Sequence, residues 1–168
     1  MRALLAFRPE IAPALSAFTD ALMHAATSLP QGEREIIAAR VSHLNDCSFC
    51  RESHAAVAAV HLNGRTEAIA DAVLDPENAP IPSKLKALLA LAGRVQQSGH
   101  AVRDEDVARA RAEGATDVEI HDTVLVAAAF CMFNRYVDGL QAWTPDDPEI
   151  YLQRARLTAA LGYAAGPR

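Results

Sequence analysis

The chain has no strongly basic segment and no apolar run long enough to cross a membrane. Its 168 residues contain 16 Lys and Arg against 21 Asp and Glu, which gives a formal net charge of -5 at pH 7. Without clustered positive charge, the sequence lacks the electrostatic attraction that nucleic acids and anionic membrane surfaces require. The longest apolar run, residues 123–133, is about half of the roughly 20 residues that a spanning helix needs. We therefore expect neither nucleic acid nor membrane as a partner.

Cysteine is scarce, and we expect no export signal. The apolar start of the chain, residues 3–7, is interrupted at Arg8, which is too early for a signal peptide. Three cysteines, an odd number, in such a chain predict a reducing compartment, and the cytoplasm is the expected location. In that setting, two cysteines separated by two residues are more often catalytic or metal-binding than a structural disulfide.

Strand patterns are also lacking, because no stretch alternates apolar and polar residues for long enough. Apolar residues instead recur at helical spacing, and prolines and glycines separate the helical segments. The sequence therefore predicts an all-α fold. The expected helices span about residues 9–28, 31–44, 46–62, 66–74, 83–98, 103–113, 116–140 and 148–163, with Asn45 or Asp46 capping the third and a Thr116 and Glu119 capping box opening the seventh.

The prolines of residues 75–82 divide the helices into two comparable halves, residues 31–74 and 83–140. A chain of this length buries roughly 70% of the surface that its unfolded form exposes, so one core suffices. We expect a single compact multi-helix domain over residues 1–168.

The residues that carry chemistry cluster around the start of the third helix, in the segment "EREIIAARVSHLNDCSFCRESH". Cys47, Cys50 and His54 are spaced i, i+3, i+7, so they share one face at the N-terminus of a core helix. Glu35 lies ten residues before the turn at Asn45, and His54 lies nine after it. Because each is about 15 Å along its own helix, antiparallel packing brings Glu35 level with His54.

This arrangement suits a reactive thiolate. A thiol of ordinary pKa is only a few per cent ionised at neutral pH, and a helix N-terminus or a neighbouring imidazolium lowers its pKa. A carboxylate beside the ring orients it and raises its basicity, as in a nucleophile, base and acid arranged in series. The pattern predicts Cys50 as the thiolate that attacks a peroxide, Cys47 as the resolving thiol, and Glu35 with His54 as the proton relay.

Other interpretations of the same residues remain. The cysteines could be small core residues, and Glu35 a solvated acid in a first helical turn. Cys47, Cys50 and His54 could also bind zinc, although a structural site wants a fourth ligand. The protein could instead be a redox-sensing or chaperone-like interaction protein whose disulfide alters its assembly without significant turnover. Thioredoxin chemistry needs a βαβ context, which the sequence lacks. Cys131, within the apolar run, is expected to be an inert core residue.

The signature Glu, eleven residues, CxxC, three residues, His resembles the alkyl hydroperoxidase D-like (AhpD-like) proteins of the carboxymuconolactone decarboxylase superfamily. Glu35, Cys47, Cys50 and His54 match every spacing. Asn63-Gly64 and "FNRYVDGL" are similar to the peroxidase-related subgroup, and the resemblance covers about residues 10–140. The decarboxylase branch of the superfamily lacks the CxxC, so its chemistry on lactones is the weaker alternative.

The resemblance implies an all-α fold that assembles as a homo-oligomer, a trimer or a hexamer. It implies a thiol peroxidase that needs no cofactor, with a small hydroperoxide as substrate and the roles given above for the four residues. A thiol or dithiol, including one on a lipoyl-bearing protein, would supply the electrons. Where the best-known branch has a histidine between the two cysteines, this chain has Ser48-Phe49.

Overall fold

The structure is a computed structural model that describes residues 2–164, with side chains from Leu4 onward. Within this range the chain forms nine α-helices, one turn of 3-10 helix at Gly99–Ala101 and no strand, so the predicted all-α fold is confirmed. The helices are α1 Arg2–Ala6, α2 Ala12–Met23, α3 Gln31–Leu44, α4 Ser48–His61, α5 Thr66–Leu74, α6 Ser83–Gln97, α7 Asp104–Ala112, α8 Asp117–Gly139 and α9 Pro148–Leu161.

Several helix boundaries agree with those expected from the sequence. The bounds of α3 and α5 are as expected, and Thr116 and Glu119 cap α8 reciprocally, with the Thr116 hydroxyl accepting from the Glu119 N–H at 3.2 Å. The helix expected over residues 9–28 is wrong at both ends, because α2 is shorter and α1 precedes it. The carbonyls at the end of α2 bond to side chains of α3, which ends the helix before Ser28.

Helix α3 is the centre of the fold and packs against α2, α4, α5, α6 and α8. Nine of its 14 residues are buried, among them the charged side chains of Arg34 and Glu35. Its start approaches the end of α4 so closely that a Cβ added at Gly32 would lie 2.9 Å from Leu62 Cγ. Gly32 therefore allows the close approach of the antiparallel α3–α4 pair, whose packing sets the level at which their side chains meet.

One cluster of buried apolar residues extends from α2 to α8, and its largest members include Met23, Ile37, Leu88 and Phe130. Residues 75–82 connect α5 to α6 without a helix, as their prolines predict, and Ala79 within them is buried. Across the range that the structure covers, none of the helices combines the length and the apolar character that a membrane span requires.

Two arginines of α3 cap neighbouring helices. Arg34 uses two nitrogens, Nη1 to the carbonyl of Leu22 at 2.7 Å and Nη2 to that of Ala25 at 2.6 Å. Arg40 uses a single nitrogen, Nη1, for the carbonyls of Val73 at 2.7 Å and Leu74 at 3.0 Å. Both satisfy carbonyls that a helix end leaves without intrahelical donors. The arrangement ties the ends of α2 and α5 to the central helix.

The two arginines should respond differently to lysine. Arg34→Lys should lower the free energy of unfolding by about 1–3 kcal/mol, because one ammonium cannot replace the two separated nitrogens of a buried fork. Arg40→Lys should cost under about 1 kcal/mol, because one ammonium can serve both carbonyls. Urea titrations followed by circular dichroism measure both values. Equal losses in the two variants would contradict this account.

Candidate active site

The turn between α3 and α4 positions the two cysteines. Asp46 has a φ of 58°, a left-handed conformation that Asp and Asn tolerate better than most other non-glycine residues, and the Cys47 N–H donates to the Ser42 carbonyl at 2.9 Å. Cys47, rather than the expected Asn45 or Asp46, is therefore the N-cap residue of α4. Cys50 is the third residue of the helix, where free N–H groups and the helix dipole favour a negative charge.

Asn45 does not cap α4 because its side chain serves a network behind the turn. Its Nδ2 donates to Asn134 Oδ1 at 2.8 Å, and its Oδ1 accepts from Gln96 at 2.9 Å. Asn134, which is buried in α8, also donates to Ser42 Oγ at 3.0 Å. Gln96 of α6 bonds as well to the Leu44 carbonyl at the end of α3. Helices α6 and α8 thus fix the turn that carries both sulfurs.

Both cysteines are reduced, and their side chains are 1% and 3% exposed for Cys47 and Cys50. They form a small apolar cluster with Val137, against which Leu4 and Phe49 pack. Cys50 lines a cavity, whereas Cys47 does not. The two thiols therefore differ in access although they belong to one helical turn.

The surroundings place the negative charge on Cys50. A hydrogen bond from the Cys47 thiol, together with the charge of His54 and a hydrogen bond from Asn134, lowers the pKa of the Cys50 thiol to about 7 against the opposing effect of burial. The same hydrogen bond and burial raise the pKa of Cys47. Near neutral pH, a substantial fraction of Cys50 is thus thiolate, whereas Cys47 keeps its proton.

The predicted pairing of Glu35 with His54 is present, since Glu35 Oε2 lies 2.6 Å from His54 Nδ1. A third group joins them: the Tyr163 hydroxyl donates to Glu35 Oε1 at 2.7 Å and lies 3.2 Å from the same ring nitrogen. The edge of Phe130 packs against the ring, with centroids 4.4 Å apart. Because Glu35 and Tyr163 both meet Nδ1, the ring can present Nε2 to the cavity.

Charge and burial oppose each other at the relay. Burial acts to lower the pKa of His54, but the charge and hydrogen bond of Glu35 raise it, and the net pKa lies above the ordinary value. Burial and the Glu35 charge both raise the pKa of Tyr163 well above its ordinary value. The phenol therefore keeps its proton and donates it in a hydrogen bond to the carboxylate. His54 can carry a positive charge next to the Cys50 thiolate.

The cavity in front of Cys50 has a volume of about 830 Å³. Side chains from α1, α2, α4, α8 and α9 line it, and most of them are apolar. The lining residues include the thiol and the relay with their neighbours, namely Cys50, Ser53, His54, Phe130 and Tyr163. The apolar side chains of the wall include Leu4, Phe49, Phe133, Trp143 and Leu157. Such a space fits a small organic molecule with one reactive polar end.

Sequence spacing locates four of the residues at this site and misses two. Glu35, Cys47, Cys50 and His54 come from one helical pair, which helical spacing can align. Asn134 and Tyr163 come from distant segments. A polar residue directly after the apolar run of residues 123–133 could have indicated Asn134, but no periodicity connects Tyr163 with the rest.

Cys131 differs somewhat from the expectation of a core residue, because it is half-buried and lies 3.7 Å from Asn45 Nδ2. Within residues 2–164, no group of three or more His, Cys, Asp or Glu side chains is arranged so that it could hold a metal ion.

Residues 9–77, which include Glu35, Cys47, Cys50 and His54, match the model of the carboxymuconolactone decarboxylase family. A solved structure from Ralstonia eutropha, an uncharacterized peroxidase-related protein with an alkylhydroperoxidase AhpD core, is 28% identical with a TM-score of 0.80, over 90% of this chain and 78% of its own. The chain thus resembles the AhpD-like proteins of the carboxymuconolactone decarboxylase superfamily both in the sequence around its CxxC and in its fold. The resemblance noted in the sequence is thereby confirmed.

Two further structures share the AhpD-like fold. An uncharacterized peroxidase-related protein from a Silicibacter species is 26% identical with a TM-score of 0.79, over 88% of this chain and 75% of its own. A protein of unknown function from Agrobacterium tumefaciens, named as a candidate AhpD antioxidant defence protein, is 22% identical with a TM-score of 0.74, over 85% and 96% of the two chains. A comparison with curated proteins returns no match.

Removal of the Glu35 charge should raise the pKa of the Cys50 thiol. In the unaltered protein, alkylation of Cys50 should rise with pH around a midpoint near 7. Glu35→Gln keeps the size of the side chain but removes the charge that raises the pKa of His54, so less imidazolium faces Cys50. The midpoint should move upward by about one pH unit, measured as iodoacetamide labelling of the Cys50 peptide by mass spectrometry.

Glu119→Gln is the matched control for that variant. Glu119 is also a buried glutamate, 3% exposed, but it bonds to Lys84 at 2.8 Å and to the start of α8. This substitution should lower stability and leave the Cys50 midpoint near 7. An upward shift of the same size in both variants would mean that general loosening, and not the Glu35 charge, controls the thiol.

Proposed function

We propose that this protein is a thiol-dependent peroxidase that reduces organic hydroperoxides through a disulfide between Cys47 and Cys50. The observation that carries the proposal is the position of Cys50: it lies at a helix N-terminus, lines an apolar cavity, and is one helical turn from a histidine bonded to Glu35. The peroxidase-related description of the Ralstonia eutropha and Silicibacter proteins is consistent with it.

In the first step, the Cys50 thiolate attacks one oxygen of the hydroperoxide and the O–O bond breaks. The sulfur gives two electrons and becomes a sulfenic acid, while the other oxygen leaves as an alkoxide. An alkoxide is a poor leaving group without a proton. The His54 imidazolium, with Nδ1 occupied by Glu35, supplies that proton from Nε2, so an alcohol is released and His54 becomes neutral.

In the second step, the Cys47 thiol attacks the sulfur of the Cys50 sulfenic acid. A disulfide forms and the hydroxyl leaves as water, with the proton of Cys47 taken up in the exchange. Cys47 suits this role because its raised pKa keeps it protonated, and therefore unreactive toward peroxide, until the sulfenic acid appears beside it. The neutral His54 that the first step leaves can take this proton and pass it on to the departing hydroxide.

The cycle closes when an external dithiol reduces the disulfide. The donor thiolate attacks one sulfur, the second donor thiol resolves the mixed disulfide, and both protein cysteines return as thiols. Because Cys50 lines the cavity and Cys47 does not, we propose that the donor attacks at Cys50. A thiol or dithiol donor, including a lipoyl-bearing protein, stays a prediction.

The cavity favours hydroperoxides with an apolar organic group. Hydrogen peroxide has little surface to bury, whereas apolar walls such as Phe49, Phe133 and Trp143 offer contacts to an alkyl or aryl group. Each methylene buried in such a space contributes about 0.8 kcal/mol to binding at most. We therefore propose a small organic hydroperoxide as the substrate class.

Assembly into a trimer or hexamer also stays a prediction, as does the cytoplasmic location. The exposed apolar residues Val118, Leu125 and Met132 follow one another at seven-residue intervals along α8. Such spacing forms a continuous stripe that suits packing against a second helix. A second copy of the chain could supply that helix.

Stoichiometric peroxide should join Cys47 to Cys50. One equivalent of cumene hydroperoxide added to the reduced protein should remove both thiols, and peptide mass mapping should find the 47–50 disulfide. Cys50→Ser should abolish turnover, because the attacking sulfur is gone. Cys47→Ser should stop the cycle at a sulfenic acid, which dimedone traps.

Cys131→Ser is the control, because it removes the third cysteine without touching either thiol of the cycle. It should retain both turnover and the disulfide. A disulfide without continued peroxide consumption in the presence of excess dithiothreitol would support the redox-sensing alternative instead of the enzyme.

Narrowing the cavity should discriminate between substrates. Thr158→Trp places a large ring at a half-buried position of the cavity wall, so KM for cumene hydroperoxide should rise about tenfold while kcat/KM for hydrogen peroxide changes little. Arg156→Trp, two residues earlier at an exposed position outside the cavity lining, is the control and should alter neither substrate. Equal effects on both substrates would exclude this cavity as the binding site of the organic group.

A further inference from the structure

We propose that Tyr163, which reaches the site from beyond the last helix, is a positioning residue: its hydroxyl holds the Glu35 carboxylate in place against the His54 ring. This inference rests on the proposed role of Cys50 as the reactive thiolate, because the consequence of holding Glu35 is felt at that sulfur. The four-residue signature does not include Tyr163, and it lies outside the segment that matches the family model.

Each of the two carboxylate oxygens of Glu35 has its own hydrogen-bond partner. Oε2 meets His54 Nδ1 at 2.6 Å, and Oε1 accepts from the Tyr163 hydroxyl at 2.7 Å. The carboxylate is 1% exposed, so water cannot readily replace either partner. The Tyr163 ring also lies nearly parallel to the imidazole, at 19° with centroids 6.0 Å apart. The phenol therefore fixes both the rotation of the carboxylate and one side of the relay.

The backbone around Tyr163 is built to hold it there. The Tyr163 N–H donates to Asp20 Oδ1 of α2 at 2.7 Å. Gly162, just before it, has φ 77° and ψ -172°, a conformation that is essentially confined to glycine. A Cβ at Gly162 would lie 2.2 Å from Asp20 Oδ1, so this approach also requires the absence of a side chain. Asp20 and Gly162 together direct the tyrosine toward Glu35.

Several charged or titratable groups of α2, α3, α4 and α8 act on this relay. Asp20 acts on Tyr163, Arg34 and His61 interact with Glu35, and Asp138 acts on Cys50. None of these is hydrogen-bonded to Glu35 among the described residues, so Tyr163 and His54 are the direct partners of its carboxylate. A change at Tyr163 therefore acts on the relay more directly than a change at any of them.

Loss of the Tyr163 hydroxyl should reduce the positive charge on His54. Without its donor, Oε1 becomes an unsatisfied buried oxygen, and the carboxylate is no longer held in position against the His54 ring. The charge and hydrogen bond of Glu35, which raise the pKa of His54, then act on the ring less strongly. The phenol oxygen that lies 3.2 Å from Nδ1 is lost as well. Both changes reduce the positive charge beside Cys50, so its pKa should rise.

The test is Tyr163→Phe in the full chain, with the pH dependence of Cys50 alkylation by iodoacetamide read by mass spectrometry. The midpoint should rise by about half a unit to one unit, so the labelling rate at pH 6 should fall about three- to tenfold. An unchanged midpoint in a variant that keeps its circular dichroism spectrum would overturn the proposal.

Tyr151→Phe is the matched control. Tyr151 is a buried tyrosine of α9 whose hydroxyl donates to the Pro145 carbonyl at 3.0 Å, so the variant loses a comparable hydrogen bond away from Glu35. Its Cys50 midpoint should stay within about 0.2 units of the unaltered protein. Equal shifts in the two variants would show a merely structural effect and would also overturn the proposal.

A second variant covers the case in which Tyr163→Phe does not fold. Gly162→Ala keeps the phenol but forces the backbone at Gly162 and Tyr163 away from Asp20, so the phenol is displaced from Glu35. The Cys50 midpoint should rise in the same direction, and no rise would count against the proposal. The measurement needs no peroxide. If the unaltered protein proves unable to turn over peroxide while Tyr163→Phe still raises the midpoint, the proposed function fails and the role of Tyr163 stands.

Discussion

The contact between Glu35 and His54 is the interaction on which the rest of the site depends. It joins α3 to α4 where both side chains are almost without water, and a buried ionisable pair is stable only if each member satisfies the other and further hydrogen bonds satisfy the rest. Tyr163 supplies that further bond to the carboxylate. The charge that Glu35 maintains on the ring is then available to Cys50, one helical turn away.

A rigid support makes this interaction possible. Gly32 of α3 allows α4 to approach closely, and the Asn45 turn is held from behind by Gln96 and Asn134. Gly32, Gln96 and Asn134 do not line the cavity in front of Cys50. The proposed chemistry therefore depends on two helices, α3 and α4, whose relative level is fixed by packing, while much of the cavity wall comes from α1, α2 and α9. In the proposed enzyme, the positioning of the thiol and the choice of substrate thus depend largely on different parts of the fold.

The pairing of Glu35 with His54 could be predicted because it follows from one number, the rise of a helix, applied to nearly equal distances on either side of a turn. The N-cap of α4 could not. Asn45 and Asp46 are both good caps by composition, but Asn45 is engaged by Asn134 and Asp46 is left-handed, and these are tertiary facts. Tyr163 was beyond prediction for the same reason, because its contact with Glu35 spans 128 positions.

The separation of Glu35 and Tyr163 along the chain has a consequence for folding during synthesis. A nascent chain that has emerged as far as α8 already contains both sulfurs, the imidazole and the acid, yet it still lacks the phenol that anchors the acid. Synthesis proceeds from the N-terminus, so the final docking of residues beyond α9 is the event that completes the proton circuit. If Tyr163 holds Glu35 as proposed, the Cys50 thiol reaches its full acidity only when the segment after α9 has been made and has docked against α3.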